Sequence, residues 1–344
     1  MAEARREARR PEIDWLKGFA ILCVFLIHAQ PLHGRAIQTY LIDRAVPIFV
    51  VLFGMTSERW WRSRASMHIQ EALILWYRTR VRRLMIPAWA TVIMWWCLQL
   101  ALPKGSSSFS PTRIAMTALG YWPWIGTGWF VTLVILLVIV FPFAHLALQT
   151  IGEAATLLIA IGALLASWAY MFHAIEIMRA LLFDTAPHTN PFFYFWIFVP
   201  AWLMAVTVGA VLTRRRVIVR PHHVALCVGL AGLIHATAAH LALSPASQRA
   251  PFALADPLIA IAMLGIIPVV GGWAPAASFF AWCGEWSWGI YLGQLLVHNA
   301  LVGYGVDPIL LSPLERCGYL VCLFVGAVGL AIVGQTIRAA TLAD

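Results

Sequence analysis

Glu12-Ile-Asp-Trp-Leu-Lys-Gly-Phe-Ala-Ile-Leu-Cys-Val-Phe-Leu-Ile-His-Ala29 is the stretch on which the reading of this chain turns. It is an apolar run with a lysine, Lys17, near its entrance and a histidine, His28, near its end. At about 100° per residue, the step from Lys17 to His28 is three helical turns plus roughly 20°, so both side chains share one face. They stand about 16 Å apart along the axis. A histidine deep in an apolar segment is costly to place against lipid, so this face is expected to turn toward protein or a cavity.

Working outward, the composition excludes an ordinary soluble protein. Of 344 residues, 61% are hydrophobic and only 11% charged, and apolar windows of about 20 residues recur along the whole length. The expected fold class is an all-α integral membrane protein with about ten transmembrane helices in one bundle. The spans are placed at 13–32, 39–57, 84–103, 128–148, 154–172, 192–212, 224–243, 254–272, 286–303 and 316–336. A basic arm, 1–12, precedes the domain at 13–336, and a tail, 337–344, follows it. The arm and first segment show no cleavage site, so a retained helix is expected rather than a signal peptide.

Charge sets the orientation. The net charge of +9 raises the question of nucleic acid, but the arginines cluster beside hydrophobic segments without a folded basic domain, so no nucleic-acid partner is expected. With both termini cytoplasmic, the arm, the run from Arg59 to Arg83 and the block Arg214 to Arg220 all fall on one side, together with 17 of the 24 lysines and arginines. Three separate blocks agree with the positive-inside rule. The six cysteines lie in or beside apolar segments with no metal-type spacing, and read as small buried residues; no metal is expected. Trp60, Trp61, Trp76, Trp122, Trp124 and Trp273 lie near predicted helix ends and read as an aromatic belt. The Gly- and Pro-broken segment from Arg113 to Gly128 reads as interfacial or partly re-entrant.

Several residues could carry chemistry. His28 is either a histidine hydrogen-bonded to a neighbouring helix or a base that takes a proton from a hydroxyl, as acyl transfer to an alcohol requires. Lys17 and Asp14 either pair at the helix entrance or help to hold a charged group there. Arg80, Arg82 and Arg83 are either a topological anchor or a phosphate-binding patch able to hold coenzyme A, with Arg80 and Arg83 on one helical face. Asp43 and Arg44, at the outer end of the second helix, are candidates for contacting a polar substrate; Asp184, His188 and Asn190, in the outer loop, either do likewise or belong to a solvated loop. His235 and His240 are five residues apart, not on one face, and read as structural.

These segments resemble the acyltransferase 3 family: Ile13 to Ile21 with His28, Val46 to Gly54, Arg80 to Pro87, Gly128 to Leu133, and Trp286 to Gln294. The resemblance runs from about 13 to 336 and keeps the order of the motifs. It implies a ten-helix enzyme of the bacterial inner membrane that O-acylates, most often O-acetylates, surface polysaccharides or their lipid-linked precursors, with acetyl-CoA as donor. By the same resemblance His28 is the essential histidine, and Lys17 replaces the arginine of many members, as in the fucose O-acetylase-like branch. Arg80 and Arg83 match the basic pair, Trp129 and Phe130 the middle-helix pair, and Tyr291 the tyrosine of the late motif. Two positions depart from the pattern: Phe53 stands for a serine, and Gln294 for a histidine that could shuttle protons. A transporter using intramembrane His and Lys is the alternative, and it predicts solute flux without thioester consumption. A non-catalytic relative kept for assembly is a third.

Overall fold

The computed structural model describes residues 11–29, 42–101, 111–120, 122, 128–180, 191–240, 249–270, 274–308 and 310–341. Among these, every regular element is helical. The helices are α1 Pro11–Ala29, α2 Ala45–Arg62, α3 Ile69–Arg80, α4 Ile86–Ala101, α5 Pro111–Ala118, α6 Trp129–Thr150 and α7 Glu153–Ala180. They continue as α8 Pro191–Arg214, α9 Pro221–His240, α10 Arg249–Val270, α11 Ala274–Glu285, α12 Ser287–Gly303 and α13 Pro313–Thr341. A 3-10 turn, Ile42–Arg44, leads into α2, and a π turn, Val81–Met85, joins α3 to α4.

Over its described residues, each of the ten apolar segments overlaps a helix. The short helices α3, α5 and α11 are additions that hydrophobic windows did not single out, because α3 is amphipathic and α5 and α11 are too short to span. By length and apolarity, α6 and Pro313–Gly334 of α13 are the two helices able to cross a bilayer among the described residues. The wider pattern is that of a membrane protein. Ile93, Leu158, Leu233 and Val325 face outward and exposed, whereas Glu58, Asp256, His145 and Gln294 are buried. Polar groups inside and apolar ones outside suit lipid rather than water as the surrounding solvent.

Helix α1 is central, packing most heavily on α11 and also on α2, α10, α12 and α13. Its approach to α11 is reciprocal. A Cβ on Gly18 would collide with the Phe280 carbonyl, and one on Gly284 with the Asp14 carbonyl. Gly54 and Gly209 do the same for α2 against α8, the small-residue contact that lets helices associate without a hydrophobic drive in lipid.

The tryptophans correct the belt expectation. Trp61, Trp76 and Trp122 are buried, and Trp60, Trp61 and Trp76 pack edge-to-face or tilted at 5.1 to 5.9 Å. Their indoles also serve the backbone. Pro142 inside α6 has no N–H for the carbonyl of Val138, and Trp76 Nε1 donates to that oxygen at 3.0 Å. Trp122 Nε1 donates to the Thr117 carbonyl at 2.9 Å, closing the C-terminal end of α5. The Thr132 hydroxyl accepts from the Trp122 N–H at 2.9 Å and donates to the Gly120 carbonyl at 3.0 Å. The described part of the segment expected to be interfacial is therefore a short helix pinned to the first turn of α6. Trp124 and Trp273 lie outside the described residues. The cysteine expectation holds for Cys23, Cys227 and Cys283, which are buried; Cys97, Cys317 and Cys322 are exposed.

A polar knot stitches one end of the bundle. Glu58 of α2, fully buried, accepts from His145 Nδ1 of α6 at 2.6 Å and from Arg214 Nη1 of α8 at 3.0 Å. Arg214 and Arg215 both reach Glu153 of α7, and Arg62 Nη1 donates to the Arg214 carbonyl at 2.9 Å. Two of the basic blocks picked out by charge thus meet at the same end of the bundle.

Candidate functional site

A cavity of about 140 Å³ opens between α1, α2, α6 and α12 and the α3 end. It is smaller than the roughly 300–1,000 Å³ of clefts that take drug-sized ligands, so it suits an extended chain better than a ring system. Two cations line it, Lys17 from α1 and Arg80 from the last turn of α3. Lys17 Nζ stands 3.5 Å from Asp14 Oδ1, one turn back. The Arg80 guanidinium lies over the Trp76 ring at 4.2 Å and reaches toward Phe53 at 5.9 Å, so both aromatic faces hold it on the wall. Burial, and then the neighbouring Arg83, pull Arg80 down to about 10, which leaves it charged at neutral pH.

Much of the rest of the wall is aromatic. Phe49, Phe53, Phe130, Trp288 and Tyr291 all line it. Phe130 meets Tyr291 edge-on at 5.2 Å, and Trp288 stacks on Tyr291 at 5.9 Å. Phe53, standing where the family pattern has serine, packs edge-to-face on Phe141 at 5.9 Å and fills space on the wall that a smaller residue would leave open.

Helix α12 carries the site onward. Ser287, Tyr291, Gln294 and His298 follow a 4-3-4 spacing, one helical face, and the first two line the cavity. Gln294 is fully buried and hydrogen-bonds His28 through its Nε2 and the Nδ1 of the histidine, so α1 and α12 meet where the sequence placed their polar residues. Gln294 Oε1 is buried without a hydrogen-bond partner. The ring of His298 lies 5.2 Å from that of His28, tilted by 34°. His298 Nδ1 in turn contacts the Tyr319 hydroxyl of α13 at 2.5 Å.

The expected residues sort as follows. Lys17, Arg80 and Tyr291 share the cavity, and Asp14 touches it through Lys17. His28 and Gln294 form a pair beyond it. Arg82 and Arg83 are exposed, and neither lines the cavity: the π turn after Arg80 breaks the helical register that would have kept Arg83 on its face. Trp129 packs edge-on against Phe130 at 6.2 Å, and it is Phe130 that reaches the wall. Arg44 is held by Asp256 of α10 at 3.0 Å, so its charge is met inside the protein rather than offered whole to an acceptor; Asp43 beside it is half-buried. His235 donates Nδ1–H to the Ala231 carbonyl at 2.7 Å, the structural role expected of it. Asp184, His188 and Asn190 lie outside the described residues. Sequence reasoning missed His298, Tyr319 and the Glu58 knot. The 4-3-4 spacing on α12 was the signal for His298; Tyr319 and Glu58 depend on contacts between distant helices.

An all-helical bundle with apolar outer faces, a cavity with two cations on its wall, and a histidine pair beside the same helix α12 describe a membrane protein with a polar site inside it. Residues 10–334 match the family model described as an acyltransferase domain, and the chain belongs to that family, acyltransferase 3. Comparison with curated proteins and with solved structures gives no match.

Proposed function

We infer that this membrane O-acyltransferase transfers an acetyl group from acetyl-CoA to a sugar hydroxyl of a bacterial surface polysaccharide or its lipid-linked precursor. The observation that carries the reading is that α12 joins two polar places: Tyr291 lines the cavity that Lys17 and Arg80 also line, and Gln294, three residues on, is bonded to His28. Coenzyme A would enter from the cytoplasmic side of an inner-membrane, multi-pass protein with both termini inside. Its phosphates would meet Arg80 and Lys17, with the exposed Arg82 and Arg83 adding attraction at the mouth. Its slender arm fits the cavity better than its nucleotide would. The acceptor hydroxyl gives its proton to His28 as the oxygen attacks the thioester carbonyl. The carbon–sulfur bond then breaks with its electron pair on sulfur, and the proton ends on the thiol. A covalent acyl-histidine reaches the same products in two steps.

The test uses sealed vesicles with the full-length protein inserted, acetyl-labelled acetyl-CoA on the basic side and surface-glycan extract on the other. Label appearing in the glycan as base-labile ester, with free CoA left behind, supports the reading. Movement of labelled solute without thioester loss supports the transporter instead.

A further inference from the structure

Four histidines of the described helices, His145 and His235 buried and His28 and His298 half-buried, have a backing group, and the backing groups are of two kinds. His145 is backed by the Glu58 carboxylate and His235 by the Ala231 carbonyl. Both partners only accept, so each fixes a proton on Nδ1. His28 and His298 are backed by the Gln294 amide and the Tyr319 hydroxyl, groups that can donate or accept. Gln294 Oε1 has no other bond to lose, so the amide can turn over and serve Nδ1 in either state. The Tyr319 hydroxyl does the same for His298 by rotating its proton. Neither ring therefore strands a buried partner when its own protonation changes, and an orphaned polar group would cost about 1–3 kcal/mol.

The two rings stand 5.2 Å apart, tilted rather than hydrogen-bonded. One water, or a small turn of either ring, closes that distance for a proton, and two imidazolium charges so close repel, so the pair holds one proton at a time. We propose that His298 is the proton partner of His28: the proton leaving the acceptor hydroxyl is held between the two rings until it is returned to the thiolate sulfur. The oxygen–hydrogen and carbon–sulfur bonds break, the oxygen–carbon and sulfur–hydrogen bonds form, and both rings end as they began. Gln294 sets the orientation of His28, while His298, one turn further along α12, supplies the titrating group that an amide cannot. His298 acts through His28 and is a positioning residue, as is Tyr319 behind it. The inference rests on the acyl-transfer reading.

The test is kcat and the KM for acetyl-CoA, with surface-glycan extract as acceptor, for full-length protein in lipid: wild type, His28→Ala, His298→Gln, Tyr319→Phe and the double variant Gln294→His/His298→Gln. Each variant is first checked for a monodisperse elution profile. His298→Gln is expected to lower kcat by roughly 10²-fold with KM unchanged, and Tyr319→Phe by less. Added imidazole, or moving the histidine to 294, is expected to restore part of the rate, which a packing role would not allow. A normal kcat in His298→Gln beside an inactive His28→Ala overturns the inference and leaves the reading intact; so does a loss that neither imidazole nor relocation recovers. No glycan-dependent CoA release from wild type overturns the reading and the inference with it.

Discussion

The indole N–H of Trp76 donates to the carbonyl of Val138 at 3.0 Å, the oxygen that Pro142 leaves without its helical donor. The same indole carries the Arg80 guanidinium on its face at 4.2 Å. A repair of the α6 backbone and the placement of a cavity cation thus rest on one side chain, which ties the stability of the bundle to the geometry of the site.

Replacing that indole separates the two roles. Trp76→Phe keeps an aromatic face for Arg80 but leaves a buried carbonyl unpaired, a loss of about 1–3 kcal/mol. The expected result is a melting temperature in detergent several degrees lower, with the KM for donor changed little in protein assayed below its transition. An unchanged melting temperature would mean that the hydrogen bond contributes nothing.

Glu58 is predicted to matter for stability rather than for donor binding. It is fully buried and joins α2 to α6 and α8, and breaking such a pair from one side costs about 3–5 kcal/mol. Glu58→Ala should unfold at markedly lower temperature, and the added variant His145→Phe should recover part of the loss by removing the buried imidazole left without its acceptor. Absence of recovery would contradict the coupling.

The arginines should separate by position. Arg80→Gln removes the cation on the cavity wall and is expected to weaken acetyl-CoA binding roughly ten- to a hundred-fold, the worth of one to two charge-assisted hydrogen bonds. Arg82→Gln, on the exposed turn, should change it about threefold or less. Titration of each purified variant with acetyl-CoA decides, and equal losses would return the patch to the simple charge cluster first read in the sequence.

How far the sequence could be read depended on the kind of contact. The polar ends of α1 and the late motif on α12 were legible because helical spacing and apolar surroundings single them out, and His28 meets Gln294 as two polar residues in an apolar bundle should. The Trp belt misled because composition places an indole near a helix end without saying whether its N–H faces headgroups or, as at Trp76, a carbonyl freed by a proline 66 residues on. The Arg80–Arg83 face failed for a local reason: periodicity assumes an uninterrupted α-helix, and Val81–Met85 is a π turn. Glu58 was silent because its partners come from helices remote in sequence, which no spacing rule reaches.

The cavity wall predicts donor length. Phe53 shares the cavity wall with Arg80, whose guanidinium lies 5.9 Å from its ring, and Phe53→Ala should widen the passage that the acyl group must take and so admit longer ones. With acetyl-CoA and butyryl-CoA in parallel, the variant's kcat/KM ratio should move toward butyryl by roughly tenfold, the scale of a methylene or two in an apolar pocket. An unchanged ratio would place the acyl group away from Phe53.

The measurement closest to the central claim is CoA release from acetyl-CoA by the full-length protein in lipid, with and without surface-glycan extract, for wild type and His28→Ala in parallel. Acyl transfer through His28 predicts glycan-dependent release by wild type and its loss, by at least about 10²-fold, in a folded His28→Ala protein. Equal glycan-dependent release by the two proteins would contradict it.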